Sequence, residues 1–166
     1  MAGRKAKTTV QAGSPAVTTA QLVATAGGLG RIPFAPGTLG SLIGVVVCLP
    51  LLRLGWPLHL AAVVALGAVA AAVSGRAAAE LGQPDPPQVI IDEIVGMGVA
   101  MVALSLQWYD LGAVFLLFRL FDVVKPAPIP RLERLGGGLG IVADDIAAGA
   151  LARVTWWLLQ ANFDFL

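Results

Sequence analysis

Three groups of carboxylates stand beside apolar sequence. Asp92-Glu93 opens an isoleucine-rich stretch, Asp122 lies between Arg119 and Lys125, and Asp144-Asp145 follows the glycine-rich residues 136–140. One acid at a helix start is ordinary, because that end of a helix favours negative charge. Two adjacent acids at the edge of an apolar run are costly unless they are paired or bind a metal. Adjacent carboxylates suit a hard cation such as Mg²⁺, which takes oxygen ligands. Arg119, Asp122 and Lys125 recur every third residue, so a helix sets them along one broad face. That face reads either as an i,i+3 salt bridge with a snorkelling lysine or as an anion site. In the second reading the carboxylate orients the two cations or binds a metal. A fourth segment, residues 27–41, collects glycines, prolines, Thr38 and Ser41 just before a helix, where backbone N–H groups bind phosphate well. It lacks the Gly-Lys-Ser/Thr ending of a P-loop.

Composition narrows the chemistry. The 166 residues fit one domain. Apolar residues make up 57 % and charged residues 13 %, against about 25 % charge in soluble domains. The formal charge of +1 gives no field that would recruit nucleic acid or another strongly charged partner. The single cysteine, Cys48, excludes an internal disulfide and a thiolate metal site. The single histidine, His59, excludes HExxH zinc sites and most histidine-based hydrolysis. What remains is a small membrane-associated helical protein whose chemistry rests on carboxylates, arginine, lysine, hydroxyls and glycines.

The elements that must position these groups follow from apolar runs and breakers. Residues 1–19 read as a disordered basic tail with no cleaved leader, and residues 20–166 as a single helical domain. Helices are expected over 38–52 with Thr38 as N-cap, 57–73, 89–106, 111–124 and 146–161, with Gln107 to Asp110 as a break and 136–140 as a loop. The fold class is therefore all-α: a compact, membrane-embedded bundle of about five to six helices. The basic residues Arg31, Arg119, Lys125, Arg131 and Arg134 face the cytoplasm by the positive-inside rule. Threading the chain on that rule brings segments 27–41, 91–93, 119–125 and 140–145 to one membrane face. Half of the ten acidic residues lie in them. His59 reads as an interfacial structural residue and Cys48 as a small core or lipid-facing one. The four tryptophans, Trp56, Trp108, Trp156 and Trp157, read as interface anchors. Ala61, Ala65, Gly67, Ala68, Ala72 and Gly75 read as a helix-packing series. Arg153 has no assigned partner.

Taken together, the four segments resemble the phosphatidylglycerophosphatase A family. The resemblance is carried by Gly-x-Gly-x-x-Pro-x-Ala-Pro-Gly-Thr-x-Gly-Ser at 28–41, Ile-Asp-Glu-x-Val-Gly-Met at 91–97, Phe-Arg-x-Phe-Asp-x-x-Lys-Pro-x-Pro-Ile at 118–129, and Gly-Gly-x-Gly-Ile-x-x-Asp-Asp-x-x-Ala-Gly at 137–149. It implies a Mg²⁺-dependent hydrolase that removes the phosphate of phosphatidylglycerophosphate at the cytoplasmic face of a bacterial inner membrane, crossed several times by the chain. On that resemblance Asp92, Glu93, Asp122, Asp144 and Asp145 are the catalytic candidates. Asp92, Glu93, Asp144 and Asp145 are the metal candidates, and Thr38, Ser41, Arg119 and Lys125 the phosphate-binding ones. The expected partners are the phospholipid substrate and the bilayer, with no nucleic acid.

The residues agree with that implication. A phosphomonoester is a dianion with a high hydrolytic barrier. A cation held by carboxylates can activate water for in-line attack while Arg and Lys neutralise transition-state charge. An aspartyl nucleophile is the other route open to the same acids. The competing class is a small cation transporter or channel subunit, which would use the same carboxylates near mid-span.

Overall fold

The computed structural model describes residues 17–162, and these hold six α-helices and no strand. They are α1 (Thr19–Ala24), α2 (Pro36–Cys48), α3 (Trp56–Leu81), α4 (Ile91–Ala100), α5 (Trp108–Val124) and α6 (Gly137–Asn162). The all-helical expectation holds. The expected tail falls outside the described residues except at 17–19, where Thr18 caps α1 by accepting from the Gln21 N–H at 3.2 Å. Residues 163–166 of the expected domain also lie outside them.

α4 is the centre of the bundle. It has ten residues, about 15 Å, and eight of them are buried. A helix that is apolar on every side belongs inside a protein, and α2, α3, α5 and α6 surround this one. Small residues set how closely they approach. A Cβ on Gly44 of α2 would lie 2.8 Å from the Met97 Cβ. On α6, a Cβ on Gly149 would lie 2.1 Å from the Gly96 carbonyl oxygen. Phe118 of α5 closes on Gly96 from another side, and the ring is fully buried.

Several helix bounds differ from expectation, each for a local reason. α2 starts at Pro36 instead of Thr38, because proline has no N–H to lose at a first helical position and Ala35 takes the cap with φ 45°. It ends at Cys48, where the chain tightens into a 3₁₀ turn over Leu49–Leu54 that contains Pro50. α3 runs on to Leu81, helped by the exposed Arg76–Glu80 pair at 3.4 Å, and stops at the left-handed Gly82. α4 stops early: Ala103 turns with φ 54°, and Arg153 donates to the Val102 and Ala103 carbonyls at 2.7 and 2.8 Å. Arg153 thus has a capping role that the sequence did not assign. The expected break at 107–110 is largely the first turn of α5, where buried Asp110 accepts from Trp156 Nε1 at 2.9 Å, from Gln160 and from the Ser105 hydroxyl. Trp156 is therefore bonded inside the bundle instead of anchoring an interface.

Two other expectations need correction. His59 is buried, with Nε2 3.0 Å from the Gly98 carbonyl oxygen, because the 3₁₀ turn lets α3 begin against the centre. In the small-residue series, Ala61, Ala65, Ala68 and Ala72 are exposed. The buried face of α3 is Val63, Gly67, Ala70, Ser74, Ala77 and Ala78.

Two segments are long and apolar enough to cross a membrane, Pro36–Leu54 and Trp56–Leu81. Only 22 % and 28 % of their apolar windows are buried, unlike the core helices of a soluble protein. Val46, Val64 and Leu116 are each more than 60 % exposed, and an apolar surface of this extent calls for a nonaqueous neighbour or a partner.

Gly149→Val is expected to cost about 1–3 kcal/mol by forcing α6 off α4, seen as a lower melting temperature in detergent. Gly112→Ala, where an added Cβ meets nothing within 4 Å, is expected to leave the melting temperature unchanged or raise it.

Candidate functional site

The contact between Gly96 and Gly149 places the chemistry. One helical turn before it on α4 stand Asp92 and Glu93, and one turn before it on α6 stands Asp145. Carboxylate oxygens from these three residues lie within 4.8 Å of one another. Asp92 is 7 % exposed and Asp145 is 4 % exposed. Asp92 Oδ1, Glu93 Oε2 and Asp145 Oδ1 are buried with no hydrogen-bond partner. Burial pushes the protonation of all three carboxyls upward from the ordinary range, most strongly for Asp92 and Asp145, and their negative neighbours add to it. Carboxyl oxygens that are buried, close together and lacking hydrogen-bond partners fit a divalent cation that takes oxygen ligands.

Asp144 and Asp145 sit two turns inside α6, not in a loop before it, because the glycines begin the helix. Gly138 packs so tightly on α3 that a Cβ there would meet the Ala71 carbonyl oxygen at 1.7 Å. Adjacent helical positions point about 100° apart, and the two acids diverge. Asp145 joins the triad, while Asp144 Oδ2 accepts from Lys125 Nζ at 2.6 Å. Lys125 is the left-handed C-cap of α5 (φ 45°), and Pro126 follows it.

Arg119 and Asp122 make the expected i,i+3 pair at 2.6 Å. The same guanidinium nitrogen donates to the Ser41 hydroxyl at 3.3 Å, and that hydroxyl donates to the Gly37 carbonyl at 2.8 Å. Asp122 also shares a hydrogen bond with Asp145, which links the arginine to the triad. Gly37 lies where Glu93 and Arg119 come nearest to α2. A Cβ there would be 2.7 Å from Glu93 Oε1 and 3.1 Å from Arg119 Nη2. Thr38, the remaining candidate, is half-buried in the first turn of α2.

The four segments thus meet, with Glu93 and Asp122 beside Arg119 and Asp144 paired with Lys125. The sequence reading did not single out Gly37, Gly96 or Gly149, although each sits inside one of the quoted motifs. Asp85 lies in the polar loop as expected, and with Asp144 it borders a cavity of about 250 Å³ beside the start of α6. The arrangement can hold a cation on one side and an anion on the other, as phosphoryl chemistry requires.

Comparison with known proteins gives the site a family context. The profile described as Phosphatidylglycerophosphatase A matches residues 22–160. An Escherichia coli protein named Phosphatidylglycerophosphatase A is 35 % identical over 134 residues, covering 79 % of this chain and 77 % of that one. A Haemophilus influenzae protein of the same name is 35 % identical over 142 residues, 84 % and 87 % of the two chains. A Bacteroides thetaiotaomicron protein named "Putative phosphatidylinositol-3-phosphatase" is 34 % identical over 152 residues, 83 % and 94 %. No solved structure matches the chain.

The raised carboxyls set a pH dependence. Their folded values lie above the unfolded ones, so their contribution to stability is complete at low pH and is lost as pH rises through the folded values. Protein stripped of metal is therefore expected to melt at lower temperature as pH rises from about 5 to 8, with a smaller loss in Asp92→Asn. An equal slope in the variant would mean that this carboxyl does not drive the effect.

Proposed function

The chain belongs to the phosphatidylglycerophosphatase A family, and we propose from that membership that it hydrolyses the terminal phosphomonoester of phosphatidylglycerophosphate, releasing phosphatidylglycerol and phosphate in a Mg²⁺-dependent reaction. The observation that carries the reading to particular atoms is the Asp92–Glu93–Asp145 triad lying beside Arg119 and Lys125. A Mg²⁺ held by the oxygens of that triad would supply positive charge to the phosphoryl group and make a water more acidic.

The chain's own groups do the rest. Arg119 offers its planar fork to phosphoryl oxygens, and Asp122 and Ser41 hold it in place. The substrate phosphate competes with Asp144 for Lys125. As Lys125 turns to the phosphate, Asp144 Oδ2 takes the proton of the attacking water, the P–O bond to the glycerol oxygen breaks, and that oxygen takes up a proton from solvent and leaves as the alcohol. Both cations then neutralise charge that grows in the transition state. Gly37 lets the start of α2 approach Glu93 and Arg119 closely, where a side chain would crowd both. Asp92 and Glu93 stand in the first turn of α4, which favours a surface-reached headgroup over the mid-span carboxylates of a transporter.

The membrane setting belongs to the same proposal. The apolar, largely exposed segments Pro36–Leu54 and Trp56–Leu81 support a chain that crosses the bacterial inner membrane more than once, with the acid cluster facing the cytoplasm beside the basic residues. The phosphatidylinositol-3-phosphatase name of one relative brings in a second lipid phosphomonoester, and the same site chemistry would serve it.

The test is phosphate release in detergent micelles. Release from phosphatidylglycerophosphate is expected with Mg²⁺, to stop in EDTA, and to exceed release from phosphatidylinositol 3-phosphate. Asp92→Asn and Asp144→Asn are expected to abolish turnover, and Lys125→Met to lower kcat/KM at least tenfold, about 1.4 kcal/mol of transition-state stabilisation. Full activity in all three variants would remove the chemistry from this cluster.

A further inference from the structure

The cavity of about 250 Å³ at the start of α6 is bordered by Pro84 and Asp85 of the loop after α3 and by Gly137, Gly140 and Asp144 of α6. The loop side is stiff. Gly82 ends α3 with φ 66°, and Pro84 and Pro86 flank Asp85. Proline fixes its own φ, and it biases the residue before it toward extended backbone. Pro86 is fully buried, so the exposed Asp85 is carried on an anchored segment. On the helix side, Asp144 ties the cavity to the acid site. Its carboxylate accepts from Lys125 at 2.6 Å, and its neighbour Asp145 belongs to the triad. One carboxylate therefore borders both the cavity and the place where Lys125 meets a phosphate.

Charge decides what such a cavity takes. Among the described residues its border carries two carboxylates and no cationic side chain, which repels a phosphoryl group. The acids that converge closely enough for a metal are Asp92, Glu93 and Asp145, and Asp85 is not among them. Asp144 already has the Lys125 ammonium as a partner. An acyl chain would strip water from the carboxylates and return no hydrogen bond. A neutral hydroxyl meets each demand, because it donates to a carboxylate without bringing charge.

We infer that Asp85 is a specificity-determining residue, accepting a hydrogen bond from the free hydroxyl of the glycerol that bears the scissile phosphate. The inference rests on the proposed function and names the part of the substrate recognised beside the phosphate. That hydroxyl stands on the carbon next to the ester carbon. A phosphate held by Lys125 therefore brings it to the level of Asp144 and the cavity. Asp144 is occupied with Lys125 and then with the proton of the attacking water, which leaves Asp85 as the acceptor for substrate. Gly137 and Gly140 keep that wall free of side chains.

The test compares phosphatidylglycerophosphate with the analogue in which that hydroxyl is replaced by hydrogen. Both are given to the full-length protein in the same detergent micelles with Mg²⁺. Wild-type kcat/KM is expected to favour the hydroxylated substrate about tenfold or more, since a site built to bond a hydroxyl rejects the analogue that lacks it. Asp85→Ala is expected to abolish that preference, and Asp85→Asn, whose amide oxygen still accepts, to keep part of it. The preference is a ratio within one preparation, so a smaller folded fraction in a variant does not alter it. Equal use of the two substrates by the wild-type protein would overturn the inference, as would an undiminished preference in Asp85→Ala. Mg²⁺ binding weakened about tenfold in Asp85→Ala would also overturn it, by marking the cavity as a cation site. Wild-type protein that hydrolyses neither substrate would defeat the proposed function and the inference with it, whereas equal hydrolysis of both defeats the inference alone.

Discussion

The bundle depends on how closely α4 and α6 approach at Gly96 and Gly149. A side chain at Gly149 would occupy the space of the Gly96 carbonyl oxygen. The approach buries the central helix, and it also sets the distance between carboxylates one turn away on each helix. Packing and site geometry are therefore one constraint. Close packing resists small shifts, since a protein interior has no slack to absorb them. A change that separates the helices separates Asp92 and Glu93 from Asp145 as well.

That constraint has an electrostatic consequence. Three acids are held where burial favours their neutral forms. Arg119 relieves Glu93 only in part, being itself paired with Asp122, and Lys125 is paired with Asp144. The proposed cation would offset this crowding of buried carboxyls. In the proposed reaction the substrate phosphate would enter on the cationic side, exchanging carboxylate partners for phosphoryl oxygens of like charge. Such exchange costs less than creating a new ion pair from water, because the cations are already positioned and partly desolvated.

The site was more legible in the sequence than the helix bounds were. Charge placement at helix ends brought the four polar segments together, as the fold does, and the three-residue spacing offered the Arg119–Asp122 ion pair as one of two readings. What the sequence concealed was rotation about helix axes. Asp144 and Asp145 looked equivalent as an acidic pair after a loop. Once Gly137 begins a helix, they face different partners. The glycines of 136–140 were read as a loop, although at Gly138 the need is close contact with α3. The small residues of α3 were visible, but which of them face the protein depends on neighbours from distant sequence. Asp110 and Arg153 could not be paired in advance because Trp156, Gln160 and the end of α4 meet them only through the tertiary fold.

The central claim is that the triad is a cation site. Calorimetric titration of Mg²⁺ into EDTA-stripped, detergent-solubilised protein near pH 8 tests it most directly. The account predicts saturable binding in the wild-type chain, weakened at least tenfold by Asp145→Asn and unchanged by Asp85→Asn. Wild-type protein that binds no Mg²⁺, or an Asp145→Asn variant that binds it equally well, would contradict the account.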